Sequence, residues 1–297
     1  ATEHIGDMVQ IAKRLMEKGY AYEKLHSVYF STPRFRGYGK LSRVDLKKIR
    51  LGPDEREGYE KEEPQDFTLF KRSTLGELRV GIYFDTEWGK VRPSWHIACA
   101  ASAFKYLGEG MDIHLGSTDL IFPHNENEIA ILEALTGRDL STHWLHVELV
   151  YHEGRKMSQE ASNAVTLRDL LERGFSGAQV RYWLLCTHYR KPLTFSLKGL
   201  YGSRKAWERL NDFLVTVTYA PAGKGHPPWK EMVGEMEGEF SRALEDDLNC
   251  SSALAAIFKF LRGAIPLIQE YGLSEGERRL ILRSMRRMDQ FLAVMEF

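Results

Sequence analysis

His124 and Glu128, in "PHNENE", stand four residues apart, so a helix starting at Pro123 projects both side chains from one face. That is metal-ligand spacing. Cys99 lies one strand–helix unit earlier, at the start of another expected helix. Thiolate, imidazole and carboxylate are all donors to a tetrahedral zinc that keeps an open position. Taken singly each residue has a plainer role. Cys99 fits a small buried hydrophobe, and His124 with Glu128 fits a hydrogen-bonded surface pair.

Three further residues stand near positions where chemistry is done. Trp95, in "RPSWHIAC", can form an apolar wall beside such a pocket while its indole N–H finds a polar partner, or it can be core. Asp119 follows the strand "MDIHLGS", where carboxylates of open α/β sheets meet a ribose or an amine; an Asx turn or helix cap serves it equally. Lys156, in "HEGRKMSQEASN", follows a strand and a hairpin-like turn, from which a flexible ammonium reaches a phosphate or simply stays in water.

The elements that must position these residues can be read from periodicity and punctuation. Ile5, Met8, Val9, Ala12, Leu15 and Met16 repeat at helical spacing, with Thr2 as the expected cap and Gly19 as the stop. "SVYF", "FTLFKR" and "VGIYF" alternate as strands, with a turn at "STLGE" and a loop at "EWGKVRPSWH". "LSRVDLKKI" predicts a short helix capped by Ser42, and residues 51–66 predict an exposed charged loop. Then come a helix at "IACAASAFKYLG", the strand "MDIHLGS", a helix at "NENEIAILEALTG" and the strand "WLHVELVYH". That alternation predicts right-handed crossovers in a parallel sheet. Beyond it Thr166 and Ser176 cap helices, "YGSRKAWERLNDFLVTVTY" forms a long one, and "APAGKGHPPWK" is a linker. Helices near 229–245, 251–271 and 275–295 then carry apolar stripes that predict a bundle.

Bulk composition narrows the class further. The chain has 297 residues, 43% of them hydrophobic, with 41 basic and 41 acidic side chains, so net charge announces no nucleic-acid partner. Three scattered cysteines, Cys99, Cys186 and Cys250, exclude a disulfide framework and predict a reducing, cytoplasmic setting. No run approaches the roughly 18 consecutive apolar residues of a membrane span, and no signal peptide opens the chain, so no membrane partner is expected. The first residue is Ala1 rather than Met, which predicts processing or an upstream part.

In this order the motifs "YGKLSR", "DFTLFK", "RPSWHIACAAS", "DIHLGSTDLIFPHNENEIA", "WLHVELV", "GRKMSQEASN", "TLRDLL", "VRYWLLCTHYR" and "LEDDLNCSSAL" span nearly the whole chain. Together they resemble the cysteinyl-tRNA synthetases, a family of class I aminoacyl-tRNA synthetases. The resemblance implies an α/β fold: the second half of a Rossmann-like domain with a connective insertion, followed by an α-helical bundle. It implies an insertion over 1–90, the nucleotide-binding half over 91–150, a Lys-Met-Ser loop and helical region over 151–220, and an anticodon-stem bundle over 229–297. It also implies zinc, held by Cys99, His124 and Glu128 as three of the family's four protein ligands, gripping the thiol of substrate cysteine. Trp95 and Asp119 then line the amino-acid pocket, while His114, Gly116 and Asp119 face the nucleotide. Lys156, Met157 and Ser158 open the loop that stabilises ATP, bound with Mg2+, as cysteine attacks its α-phosphate. The implied partners are cysteine, tRNA(Cys) along the C-terminal helices, and an N-terminal half carrying the family's His-Ile-Gly-His signature and fourth zinc ligand.

The departures are specific. The family's Lys-Met-Ser-Lys-Ser reads Lys-Met-Ser-Gln-Glu here, so Gln159 and Glu160 exchange positive charge for negative. Its glycine-rich pattern reads His114-Leu115-Gly116-Ser117-Thr118-Asp119, where Leu115 adds bulk, and its paired histidines become His124-Asn125. "EHIGD" lacks the signature's second histidine. Two other readings accompany the ligase: a paralogue that binds or regulates without aminoacylating, and a ligase that passes activated cysteine to a small amine.

Overall fold

The chain folds as two compact units, Ala1–Val147 and Glu148–Phe297. The computed structural model describes residues 2–45, 61–223 and 227–297. The boundary falls inside the expected region 91–150, three residues before its end; region 1–90 lies within the first unit and the regions from 151 onward within the second.

In the first unit, α1 (Ile5–Glu17) buries Met8, Ile11, Ala12 and Leu15. Its start differs from the expectation. Thr2–His4 forms a 3-10 turn ahead of it, so His4 and not Thr2 occupies the cap, without a side-chain cap bond. β1 (Ala21–Lys24), β2 (Ser27–Phe30) and β3 (Phe67–Arg72) follow, then α2 (Leu75–Arg79), β4 (Phe84–Thr86) and β5 (Gly89–Pro93). The strands make one antiparallel sheet in the order β1-β2-β3-β5-β4.

Two expectations fail here for local reasons. "STLGE" is not a plain turn: Thr74 and Glu77 complete a capping box that nucleates α2, leaving Val80–Tyr83 outside the strand expected at "VGIYF". "EWGKVRP" is not a loop but the β4–β5 hairpin, and Trp88 in its turn is buried against Phe70. The helix expected at "LSRVDLKKI" falls partly outside the described residues, as does most of the charged stretch 51–66.

α3 (Trp95–Leu107), capped by the Ser94 hydroxyl, leads to β6 (Met111–Ser117), α4 (Glu126–Thr136) and β7 (Ser141–Val147). β6 and β7 pair in parallel across α4, the crossover predicted from the alternation of elements. The regular helix α4 begins at Glu126; ahead of it Phe122 is extended (φ −132°, ψ 132°) and the segment through Asn125 is wound as a wider, π-type turn rather than as α-helix.

"WLHVELVYH" is not one strand. β7 ends at Val147, and β8 (Val150–His152) belongs to the second unit. There β8 pairs with β9 (Arg155–Lys156) in a hairpin and, in parallel, with β10 (Leu193–Phe195). α5 (Leu167–Glu172) and α6 (Gly177–Leu185) lie between, each with a capping box, at Thr166 and Ser176 as expected. α7 (Leu197–Thr218), α8 (Trp229–Glu245), α9 (Cys250–Tyr271) and α10 (Glu275–Leu292) form the bundle around Leu210, Phe213, Phe240, Ile257 and Met285. By length and composition α9 is apolar enough to cross a membrane. Its residues Leu254, Ile257, Leu261 and Ile268 are core.

At the α8–α9 corner Asp247 and Leu248 both take left-handed φ, 56° and 53°. Asp247 is held there by Arg190, whose Nε and Nη2 donate at 2.5 and 3.0 Å, and by the Tyr189 hydroxyl. The Arg190 and Tyr189 bonds hold its carboxyl down at about 2. A depressed carboxyl stabilises the fold above its unfolded value, near 3.9, and the contribution is lost as pH falls through 2. Asn tolerates left-handed φ, so Asp247→Asn removes charge alone. Thermal unfolding is expected to show the variant less stable at pH 6, with the gap narrowing at pH 3; an equal gap at both would contradict the assignment.

Candidate metal centre and nucleotide loop

The first turn of α4 buries three consecutive polar residues, and each has a separate partner. Glu126 accepts backbone N–H bonds from Gly39 (2.9 Å) and Ser42 (2.8 Å), docking the "YGKLSR" turn. Asn127 accepts from the Tyr38 hydroxyl. Glu128, 4% exposed, faces His124 Nε2 with Oε1 (3.4 Å), and with Oε2 accepts from Asn125 Nδ2 (2.9 Å) and meets His114 Nε2 (3.1 Å). Burial alone would raise this carboxyl. The bonds from His114, His124 and Asn125 outweigh it and hold the group at about 2.

The donor atoms of Cys99, His124 and Glu128 all lie within 4.8 Å of one another. Zn–S of about 2.3 Å and Zn–N or Zn–O of about 2.1 Å set the donors of one tetrahedral ion roughly 3.4–3.6 Å apart, so the set needs only a small contraction. The chemistry of the donors fits zinc as well. Hydrogen bonds to Cys99 and Glu128 push the His124 imidazole up to about 9, so a metal entering here would displace the proton from its Nε2. Cys99 is exposed, not the buried small hydrophobe that its neighbours in "IACAAS" also allow.

His96 completes the arrangement, and sequence reading passed over it. Its Nδ1 lies 3.0 Å from His124 Nδ1, and burial together with the neighbouring His124 lowers it to about 4, so it stays neutral. A neutral His96 can accept the His124 Nδ1 proton, which leaves the Nε2 lone pair for a metal. The clue lay in spacing: His96 precedes Cys99 by three residues, one helical turn, and so shares its face of α3. Trp95 lies four residues before Cys99 and is 78% exposed, an apolar surface beside the thiol and not core.

β6 contributes by alternation. His114 and Gly116 face α4, whereas Ile113 and Leu115 are exposed on the other face, so the bulk of Leu115 points away from this centre. Trp144 of β7 stacks on His114 at 4.2 Å between ring centroids, and His146 reaches Asn125 Oδ1 at 3.0 Å. A side chain at Gly116 would meet Asn125 Oδ1 at 3.1 Å, so glycine lets that amide approach the strand. Asp119 is exposed just past β6, and the Ser117 hydroxyl donates to it.

In the second unit the Lys-Met-Ser loop is a built structure. Glu153 (φ 53°) and Gly154 (φ 74°) make the two-residue turn between β8 and β9 that right-twisted strands favour. This places Lys156 on β9 with an exposed side chain, while Met157 packs against the apolar cluster that contains Phe175 and Trp183. Asn163, 6% exposed, closes the loop. Its Oδ1 accepts from Ser158 N (3.0 Å) and its Nδ2 donates to the carbonyls of His152 and Lys156 (3.2 Å each). Ser158 Oγ accepts from Ala161 N, and Gln159 and Glu160 are exposed.

With both constructions in view, relatives can be compared. A family model for the tRNA synthetases class I (C) catalytic domain matches residues 1–205, and the chain belongs to that family. It is 40% identical over 302 residues to the cysteine–tRNA ligase of Chlamydia pneumoniae, covering 99% of this chain and 63% of that one. The Aquifex aeolicus and Methanosarcina acetivorans cysteine–tRNA ligases are each 40% identical too, over 93% and 92% of this chain and 56% and 59% of theirs. The chain thus spans about three fifths of the relatives it matches. Among solved structures it is similar to a candidate arginyl-tRNA synthetase from Campylobacter jejuni, with TM-score 0.57, 12% identity, and coverage of 99% of this chain and 62% of that one. It is also similar to a LeuRS–tRNA–LeuAMS complex from Agrobacterium radiobacter, with TM-score 0.51, 16% identity, and coverage of 74% and 34%. The α/β fold expected from the motifs is shared with both.

The His96 contact predicts a graded effect. His96→Ala should lower zinc affinity about 10–100-fold, the usual cost of losing a partner behind a ligand, in competition with a chromogenic chelator. Unchanged affinity would show that His96 does not orient His124.

Proposed function

We propose that this chain is the thiol-recognising and loop-bearing part of a cysteine–tRNA ligase, which activates cysteine with ATP and transfers it to tRNA(Cys). One observation carries the reading: Cys99, His124 and Glu128 converge within 4.8 Å, with Trp95 exposed on the same face of α3 as the thiol. A bound zinc would supply a Lewis acid that takes cysteine as thiolate and discriminates against serine, whose hydroxyl keeps its proton. Such a ligand must be reduced, and Cys99, Cys186 and Cys250 are all free thiols, in keeping with a cytoplasmic setting.

The residues of this chain then divide the work. Glu128 and His124 hold two donors in fixed directions, and Trp95 offers a flat apolar surface to the substrate methylene. Asp119, exposed at the end of β6, is placed to meet the ammonium of the amino acid or a ribose hydroxyl. His114 and Gly116 shape the strand face behind them. Lys156 carries the positive charge that ATP phosphates need, and Asn163 keeps its loop in one conformation before ATP arrives. On α10 Arg279, Arg283, Arg286 and Arg287 are exposed along one side, which supports an RNA stem as partner of the C-terminal helices.

A second reading has its own observation. Gln159 and Glu160 stand, exposed, where the family's second lysine and following serine would be. A relative that kept the thiol site but lost adenylation would look the same there. Zinc content and cysteine-dependent pyrophosphate–ATP exchange, measured on one sample, separate the two. Zinc with exchange supports the ligase, zinc without exchange favours the second reading, and a zinc-free protein after zinc loading contradicts both.

Two variants sharpen this. Cys99→Ala should reduce bound zinc to background by atomic emission, and retention of one equivalent would sink the ligand assignment. Gln159→Lys should raise exchange by about tenfold or more, since it restores a charge aimed at the phosphates; an unchanged rate in an active protein would count against the role given to the loop.

A further inference from the structure

In the second unit the corner between α8 and α9 is held from outside the bundle. Asp247 and Leu248 both take left-handed φ there, a conformation that a bulky residue such as Leu248 rarely adopts and that persists only where its surroundings fix it. The backbone fixes part of it, the Leu248 N–H donating to the Leu244 carbonyl and the Asn249 N–H to the Ala243 carbonyl, at 3.0 Å each. The rest comes from three consecutive residues that precede β10. The Tyr189 hydroxyl and the Arg190 guanidinium donate to the Asp247 carboxylate, and His188 Nε2 stands 3.7 Å from it. Because His188 Nδ1 accepts from the Arg190 N–H at 3.2 Å, the ring carries its proton on Nε2, the side of the carboxylate. The three side chains also stack, His188 on Tyr189 at 4.9 Å between centroids and the Arg190 guanidinium 5.0 Å over the Tyr189 ring. With side chains 58% and 41% exposed, the Arg190–Asp247 pair adds little to global stability. What it supplies is direction.

On their other side these residues lead to the Lys-Met-Ser loop. The Tyr189 carbonyl accepts from the Glu148 N–H (2.8 Å) and the Leu149 carbonyl from the Leu193 N–H (3.1 Å), so the chain entering β8 is fastened to the chain entering β10. β8 is the central strand of its sheet, with β10 on one side and β9 on the other. Val150 pairs with Leu193, and its carbonyl accepts from the Met157 N–H at 2.8 Å, one residue before Ser158. Each step from the Asp247 carboxylate to Met157 is a hydrogen bond or a few residues of continuous chain.

We infer that Asp247 is a positioning residue for the Lys-Met-Ser loop: by holding Tyr189 and Arg190 it sets where β10, and through it β8 and the loop, stand relative to the helical bundle. The consequence for catalysis rests on the ligase reading, in which the bundle meets RNA and the loop meets ATP; the link then holds both in one frame. The positioning itself does not need that reading.

The test is amide hydrogen exchange of the whole chain by NMR, read at Ser158, whose N–H donates to Asn163 Oδ1. Asp247→Gly removes the carboxylate and leaves a residue at home in left-handed φ, and Tyr189→Phe removes one hydroxyl from the other end of the link. Ser158 is expected to exchange at least tenfold faster in Asp247→Gly and several-fold faster in Tyr189→Phe, with the double variant no faster than Asp247→Gly alone. Asp247→Asn, which keeps an accepting oxygen in place, should stay within a few-fold of the unaltered chain. Ile268→Val, a core change at the far end of α9, should lower the melting temperature and leave Ser158 as it was. Unchanged exchange in Asp247→Gly, or an equal rise in Ile268→Val, would overturn the positioning role; should Asp247→Gly not fold, Tyr189→Phe against Ile268→Val decides it. A zinc-loaded chain without pyrophosphate exchange would count against the ligase reading and leave the Ser158 result standing.

Discussion

A carboxylate that is 4% exposed cannot remain charged unless its oxygens are occupied, and the first unit is arranged around that requirement at Glu128. His114 comes from a strand, His124 and Asn125 from the segment before α4, and all three turn toward one side chain. Removing one partner would leave charge uncompensated in the interior, at a cost of roughly 3–5 kcal/mol. The same constraint positions the metal donors. Because Asn125 and His114 occupy Oε2, Oε1 remains on the His124 side, where Cys99 also points its sulfur.

The polar turn of α4 extends the principle to the backbone around it. Glu126 is fully buried and satisfies N–H groups of the 39–42 turn, so the insertion is tied to the helix that bears the ligand. In the second unit Asn163 does for the Lys-Met-Ser loop what Glu126 does here: one buried side chain serves several backbone partners and removes conformational freedom from the loop. Preorganisation in both units comes from side chains that touch no reacting atom in the proposed chemistry.

Much of this was legible in residue order and spacing. The βαβ crossover around α4, the caps at Thr166 and Ser176, the three C-terminal helices and the His124–Glu128 pair all follow from local rules, because periodicity, caps and i, i+4 spacing act within a few residues. What escaped depends on tertiary partners or on a few competing residues. The capping box at Thr74 overrode the strand pattern of "VGIYF", and the residues from Pro123 to Asn125 wind as a wider, π-type turn before regular helix begins at Glu126. For His96 the sequence offered only its spacing to Cys99, and Asn163 offered nothing, because their partners, His124 and the carbonyls of His152 and Lys156, are identified only once the chain has folded. The division of "WLHVELVYH" was hidden for a related reason: β7 and β8 are told apart by which strands they pair with.

The central claim is that one chain segment presents a sulfur, an imidazole and a carboxylate to a single zinc that leaves room for a substrate thiol. X-ray absorption at the zinc edge, on the zinc-loaded chain with and without added cysteine, tests it most directly. The account predicts one sulfur at about 2.3 Å with nitrogen or oxygen donors at about 2.0–2.2 Å, and a second sulfur when cysteine is added. A first shell without sulfur, or one that cysteine does not change, would contradict it.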